Sequence, residues 1–346
     1  MIKNLPIALR APLAALAIVV LLSGCSSSSK HSGLFVINQK AKYGYIDRKG
    51  QVVINPQFDY AAAFSEGLAE VSVGKKYGYI NPKGEFAINP QFDGADQFSE
   101  GLAPVQVNDK WGFIDNTGKL VINPQFDQVM FFSEGLCAAK VGEKWGYIDI
   151  AGKYVINPQF DAVGALFDGL AAIRSNDKSG FMDKTGNTVV APQFDWINDG
   201  SYLRRYGLTI DWPMPVKLGD KYGFVDKAGK YVINPQYDDA WNFTEGLAPV
   251  KKDGKYGFVD KTGVMVISPQ FESASLFSEG LASASVGGKS GFIDKTGTYV
   301  INPQFDSASF FVDGLAQVGI KGKDEKWTTG YIDKTGHYVF GPSSPD

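Results

Sequence analysis

Ile122-Asn123-Pro124-Gln125-Phe126-Asp127 is one of five verbatim copies of a single hexapeptide, the first at Ile54–Asp59 and the last at Ile301–Asp306. Three more copies are altered: Ala191-Pro-Gln-Phe-Asp, Asn234-Pro-Gln-Tyr-Asp and Ser268-Pro-Gln-Phe-Glu. A proline-centred segment repeated this often is either a recognition module multiplied for avidity or a structural joint. The residues around it point to the joint. Proline cannot donate to a strand ladder, and it holds its predecessor extended. Asn123-Pro124 is therefore expected to end a strand, with Val121, Ile122 and Phe126 as anchors on either side.

A second motif travels with the first. Lys-Tyr/Trp-Gly-Tyr/Phe-Ile/Val-Asp recurs with its glycine at Gly44, Gly78, Gly112, Gly146, Gly180, Gly223, Gly257, Gly291 and Gly330. The spacing is 34 residues, except for gaps of 43 before Gly223 and 39 before Gly330. A third motif, Phe-Ser-Glu-Gly-Leu-Ala, sets a glycine 11 residues earlier, as at Gly67, Gly101, Gly135, Gly169, Gly246 and Gly280. A 34-residue period is also that of helical tetratricopeptide arrays. Here every stretch of 12 residues meets a glycine or proline, and helices so interrupted are unstable. The residues between are Val, Ile, Tyr and Phe, which suit strands.

Each repeat reads as three short strands, exemplified by Ala103–Val107, Lys110–Asp115 and Lys119–Asn123. Asp115-Asn116-Thr117-Gly118 joins the last two as a tight hairpin, the aspartate capping the turn and the glycine supplying positive φ. One repeat cannot bury Trp111, Phe113 and Phe126 alone, whereas stacked repeats share a continuous core. Gly112, between two aromatics, leaves room for close approach by a neighbour. The expected fold is all-β: nine three-stranded repeats of about 34 residues in an open, curved, solenoid-like array. The two irregular spacings and the shortness of a repeat for a four-stranded blade argue for the open form. Propeller-like closure is the alternative.

The first residues belong to no fold. Lys3 and Arg10 precede the apolar stretch Ala11–Leu22, too short for a stable membrane span, and Leu22-Ser23-Gly24-Cys25 follows. This resembles a bacterial lipoprotein signal, which implies cleavage before Cys25 and diacylglycerol on its thiol. The organisation expected is a signal peptide over residues 1–24, the lipidated cysteine and a Ser-rich tether over 25–32, and a β domain over 33–346. Ser26 is not the aspartate that retains such proteins in the inner membrane, so the outer membrane of the cell envelope is the expected location.

Formal net charge is −3, and loss of Lys3 and Arg10 makes it more negative. Charges of both signs are scattered, with no basic stripe for nucleic acid. Cys137 is the only other cysteine, so no internal disulfide forms. It stands where other repeats carry Ala69, Ala103, Ala171 and Ala248, as a small core residue would. His31 and His337 are the only histidines, so no metal centre, catalytic triad or cofactor is expected. A glycosidase needs two carboxylates in different environments, whereas the acids here repeat in register as turn and cap residues.

Recognition is expected where the pattern breaks. Trp196 fills a slot held by Tyr60, Gly94, Gln128, Ala162, Asp239 and Ser273 elsewhere, and Trp241 one held by Ala62, Asp96, Met130, Gly164 and Ser275. Between them an expansion within residues 198–215 carries Tyr202, Arg204, Arg205, Tyr206 and Trp212. Trp196, Arg204, Arg205, Tyr206, Trp212 and Trp241 are therefore the candidate ligand or partner site. The competing reading is a segment that buries its own tryptophans as a plug.

Lys110-Trp111-Gly112-Phe113-Ile114-Asp115 and Lys144-Trp145-Gly146-Tyr147-Ile148-Asp149, with the Pro-Gln-Phe-Asp that follows each, resemble the WG (or KWG) repeat family of bacterial proteins. The resemblance covers roughly residues 33–342, with Ser179, Ser290 and Thr329 departing from it at the aromatic position. It implies a β-rich repeat fold, an envelope setting and no established enzymatic activity, and it brings no catalytic residues. The function expected is non-enzymatic: a scaffold anchored to the membrane through Cys25 that recognises an envelope protein or glycan. A purely structural envelope protein and a glycan hydrolase are the alternatives.

Overall fold

The computed structural model describes residues 32–204, 208–322 and 325–343. The signal segment, Cys25 and most of the tether lie outside them. Nine small antiparallel sheets follow one another along the described chain, one per repeat. The chain divides into two compact bodies, one of residues 58–207 and the other of residues 33–57 with 208–346.

A regular sheet in the first body contains the strands Gly94–Ala95, Leu102–Val107, Lys110–Asp115 and Leu120–Phe126, hydrogen-bonded in that order. Three of these match the sequence reading. The fourth, only two residues long, was not foreseen. It follows directly on Gln-Phe-Asp, pairing Gly94 with Gln106 and Ala95 with Val105. A four-stranded sheet fits in so short a repeat because its first strand is this brief. The first sheet, Phe35–Gln39, Lys42–Ile46 and Val52–Phe58, has three strands.

The proline does not end its strand. Leu120–Phe126 runs through Pro124 as one strand, and its register against Lys110–Asp115 shifts at that point: Trp111 faces Phe126 and Phe113 faces Ile122. Asn123, Pro124 and Gln125 thus oppose the single residue Gly112, which makes a bulge. Such a strand tolerates proline because it is the outermost of its sheet and the bulged backbone needs no donor there. The bulge also explains the glycine. A Cβ on Gly112 would lie 2.6 Å from Pro124 N and 2.8 Å from the Asn123 carbonyl carbon. The same collision recurs at Gly78 and Gly146 in this body and at Gly223, Gly257 and Gly291 in the other. The hexapeptide is a joint, and its socket is the glycine of the second motif.

Burial along that strand alternates around the bulge. Ile122 and Phe126 are buried, whereas Val121, expected as an anchor, is 45% exposed. The core beneath is built by pairs of repeats. Phe113 and Phe126 are shared with Phe132, Cys137 and Ile148 of the following sheet, and the Phe113 and Phe132 rings stand 4.9 Å apart, edge to face. Phe258 with Phe277 and Phe292 with Phe311 repeat the contact in the second body.

In the second body the first sheet packs on the ninth. Phe35, Ile37 and Ile46 form one cluster with Leu315 and Tyr331, and the Tyr331 hydroxyl donates to Val36 O at 2.7 Å. An open array would leave both of those faces bare. Their contact is the one the propeller-like alternative calls for.

Candidate functional site

The repeated acids of the turns and joints are accounted for by bonds within and between neighbouring sheets. In the hairpin turn, Asp115 Oδ1 accepts from Thr117 N, Thr117 Oγ1 and Lys119 N, while Gly118 takes φ +85°. The Thr117 hydroxyl is the main reason the Asp115 carboxyl is held below the usual range. The aspartate of the hexapeptide spans two sheets. Asp127 Oδ1 pairs with Lys110 Nζ at 2.5 Å and its Oδ2 accepts from Gly142 N of the next sheet at 2.6 Å. Lys110 above all lowers its pKa.

The Ser-Glu-Gly turn is a third link. Glu100 carries positive φ, and its carboxylate accepts from Glu134 N and Gly135 N of the next repeat at 2.6 and 2.9 Å. Ser99 Oγ donates to Phe132 O at 2.8 Å. Lysines from the hairpin turns complete the link: Lys184 reaches Glu134 at 3.3 Å, and in the second body Lys295 reaches Glu245 at 3.2 Å. Arg48 and Asp313, 2.7 Å apart, occupy the corresponding slots of the first and ninth repeats. These acids hold repeats together, as their regular spacing suggested.

At the positions that lack the aromatic, polar packing replaces it. Ser179 is fully buried, with Arg174 Nη1 donating to its hydroxyl at 3.4 Å and to Asp195 O at 2.7 Å. Ser290 Oγ lies 2.8 Å from Ser285 Oγ, which accepts from Ser273 Oγ at the same distance.

The candidate recognition residues fall into both bodies. In the first, Trp196 is half-buried on the strand Trp196–Ile197, and Arg204 ends the helical turn Ser201–Arg204. Arg205 and Tyr206 lie outside the described residues. Between Trp196 and Arg204 in sequence, Asn198, Asp199, Ser201 and Leu203 are buried. Asp199 Oδ1 accepts from the Ser201 hydroxyl at 2.9 Å, and the other carboxylate oxygen sits where a Cβ on Gly164 would be. The buried Tyr147 donates to Gly164 O at 2.7 Å, and burial followed by the Asp199 charge pushes its pKa up.

In the second body Trp212 and Trp241 are half-buried, and Leu208 and Ile210 are buried. Asp211 N donates to Phe243 O at 2.9 Å, which brings the two tryptophan-bearing stretches side by side. Trp241 also lies in hydrogen-bond reach of the Tyr256 hydroxyl, which donates to Asp239 Oδ2 at 2.6 Å. Slots that hold Asp or Gly in other repeats thus accept tryptophan at partial burial, and most described residues of the expansion are packed rather than open.

One residue of the expansion was not recognised from sequence. Asp211 pairs with Lys261 at 3.2 Å, as Glu245 pairs with Lys295. Counting back twelve residues from Gly223, as from Gly112 to Glu100, would have placed Asp211 in the turn-glutamate slot and Trp212 in the glycine slot.

Cys137 is fully buried, its thiol donating to Met130 O at 3.2 Å, and burial drives its pKa upward. Among the described residues no group of three His, Cys, Asp or Glu side chains is placed to hold a metal ion. His337 belongs to the last hairpin turn, its Nδ1 2.9 Å from Thr335 Oγ1, and His31 lies outside the described residues. No helix of the described residues is long and apolar enough to cross a membrane.

A family model described as a WG containing repeat matches residues 43–77, 77–111, 111–145, 145–178, 180–200, 222–256, 256–289 and 291–323. No match was found among curated proteins. Solved structures to which the chain is similar include an Hsv2 of Kluyvelomyces marxianus, at 10% identity and TM-score 0.35, covering 76% of this chain and 93% of that one. Another is KlHsv2 with its loop 6CD replaced by a Gly-Ser linker, at 9% identity and TM-score 0.35, covering 78% and 94%.

Proposed function

This chain belongs to the WG-repeat family, and on that premise we propose that it is a lipid-anchored scaffold of the cell envelope that binds a protein or glycan partner. The observation that carries the scaffold reading is how the repeated side chains are used. Turn aspartates cap their own hairpins, while joint aspartates and turn glutamates, with the neighbouring serines and lysines, bond repeat to repeat, as Asp127 and Glu100 do. Carboxylates committed in this way are poor candidates for acid–base chemistry, so the reading is of a binding protein without enzymatic activity or cofactor. The lipid anchor rests on Leu22-Ser23-Gly24-Cys25, and the outer membrane on the absence of aspartate at Ser26.

Partner capture is assigned to the irregular stretch, where Trp196, Arg204, Arg205, Tyr206, Trp212 and Trp241 escape the constraint of the repeat. Crosslinking and pull-down from envelope extracts with the mature protein tests this. Arg205→Ala with Trp212→Ala should abolish capture and leave the thermal transition nearly unchanged. Half-buried Trp212 makes the opposite outcome informative: a marked drop in the transition temperature identifies the expansion as a plug and moves the site elsewhere.

A further inference from the structure

The chain of glutamates that links the Ser-Glu-Gly turns is broken at its start. In the first body each such turn presents backbone N–H groups, and the turn before it supplies a carboxylate. Glu66 Oε1 and Oε2 accept from Glu100 N and Gly101 N, both at 2.9 Å, and Glu100 does the same for Glu134 N and Gly135 N. Glu134 in turn accepts from Gly169 N at 3.1 Å. The Glu66-Gly67 turn has the same backbone, with φ +51° and +85° against +54° and +81° at Glu100 and Gly101. Its preceding slot, 34 residues back, holds Ser32 in place of a glutamate. Glu66 N and Gly67 N accordingly have no acceptor among the described residues, and both residues are exposed.

The sister turns show what fits there. Successive N–H groups in this conformation form a concavity for an anion, and bonds to a carboxylate are stronger than neutral ones. In the neighbouring repeats the occupant is a glutamate side chain held through both oxygens. No cation is needed. Lys184 reaches Glu134, but the equivalent hairpin position is Asn116 for Glu66 and Ile150 for Glu100, and both carboxylates keep their two bonds. The acid of the receiving turn does not repel its ligand either, since Glu100 accepts nothing from Glu66 and sends its own carboxylate on to the next turn. Length does matter. In the second body Asp211, one methylene shorter, precedes the Glu245-Gly246 turn and makes no bond to Gly246 N. At the vacant turn the hairpin position is Pro82, followed by Lys83, which is exposed and in no ion pair among the described residues. Residues 25–31 contain no acid, so the tether has no carboxylate side chain to offer.

We infer that the Glu66-Gly67 turn is a binding site for a glutamate side chain of a protein partner, which takes the place that Ser32 leaves open. Such a site deepens the proposed scaffold role, on which it rests, by giving the partner a chemistry: an exposed glutamate whose two-methylene stem carries the carboxylate into the turn. A carboxylate set directly on a sugar ring, as in a uronate, lacks that stem.

The test follows the backbone amide signals of Glu66 and Gly67 by nuclear magnetic resonance in the isotope-labelled mature protein, titrated with the end-capped peptide Phe-Ser-Glu-Gly-Leu. Both signals are expected to shift saturably, and the same peptide with glutamine in place of glutamate should leave them unmoved. Ser32→Glu puts a carboxylate where the sister repeats carry one. It should weaken the peptide response about tenfold or more, with the thermal midpoint no lower. No saturable shift with the glutamate peptide, an equal shift with the glutamine peptide, or an undiminished response in a folded Ser32→Glu chain overturns the inference. If that variant does not fold, the glutamine peptide alone decides. Signals that move with oligogalacturonate and not with the peptide overturn it in favour of an acidic glycan. Envelope-partner capture that persists through such a failure leaves the scaffold role standing. Loss of capture in the Arg205, Trp212 variant is the separate test of that site.

Discussion

Gly112 lies directly under the Asn123–Pro124 bulge of the adjacent strand, so close that a Cβ on it would stand 2.6 Å from Pro124 N. Backbone atoms of a paired strand cannot rotate aside as a side chain can. Gly112→Ala is therefore expected to destabilise the protein by about 1–3 kcal/mol or more, the range for forced overpacking. Chemical denaturation measures it, and a neutral substitution would mean that the bulge is not held against the glycine.

The proline itself should matter less. Pro124 sits on an outer strand, and its removal mainly frees the unfolded chain, an effect of about 1 kcal/mol or below. Trp145 is 2% exposed, and its truncation to alanine should cost about 3–5 kcal/mol. Half-buried Trp111 should fall between the two. A Pro124→Ala effect equal to that of either tryptophan in a denaturant series would contradict this order.

Much of the fold was legible because its signals are local. The Asp115–Gly118 hairpin, the strands Leu102–Val107 and Lys110–Asp115, and the need of Gly112 for space all follow from side-chain type and spacing. The two-residue strand Gly94–Ala95 was not legible, since so short a segment has no periodicity to read. Pro124 misled for a related reason: proline marks either a strand end or an outer-strand bulge, and only the facing glycine distinguishes them. The contact of Tyr331 with Val36 joins residues far apart in sequence, and no spacing rule reaches that far. Of the candidate site, Asp211 was hidden by the expansion that displaced its motif.

Cys137 should behave as a core residue. Burial holds its thiol neutral, and a neutral thiol is a poor nucleophile. In a Cys25→Ser chain, a thiol reagent should fail to label the native protein and should react once denaturant unfolds it. Cys137→Ala should retain the native transition, because alanine holds this place in other repeats. Rapid native-state labelling would overturn the assignment.

Acid should unfold the array from its turns. Asp115, Asp183, Asp260 and Asp294 all have lowered carboxyl pKa values, with the hydroxyls of Thr117, Thr185, Thr262 and Thr296 as the leading cause. A folded-state value below the unfolded one gives stability that is complete above the ordinary carboxylate range. That stability is lost as pH falls through the depressed values. The denaturation midpoint should hold steady from neutrality to that range and drop beneath it, with Thr117→Ala reducing the dependence. A midpoint that rises on acidification would contradict the turn geometry.

The proposed role depends first on where the chain is held, and mass spectrometry of the N-terminal peptide from membrane-extracted protein tests that most directly. The expected result is a mature chain that starts at Cys25 with a diacylglycerol thioether, and Cys25→Ser material that is released from the membrane or left unprocessed. An unmodified N-terminus, or one that starts at another residue, would contradict the anchored-scaffold account.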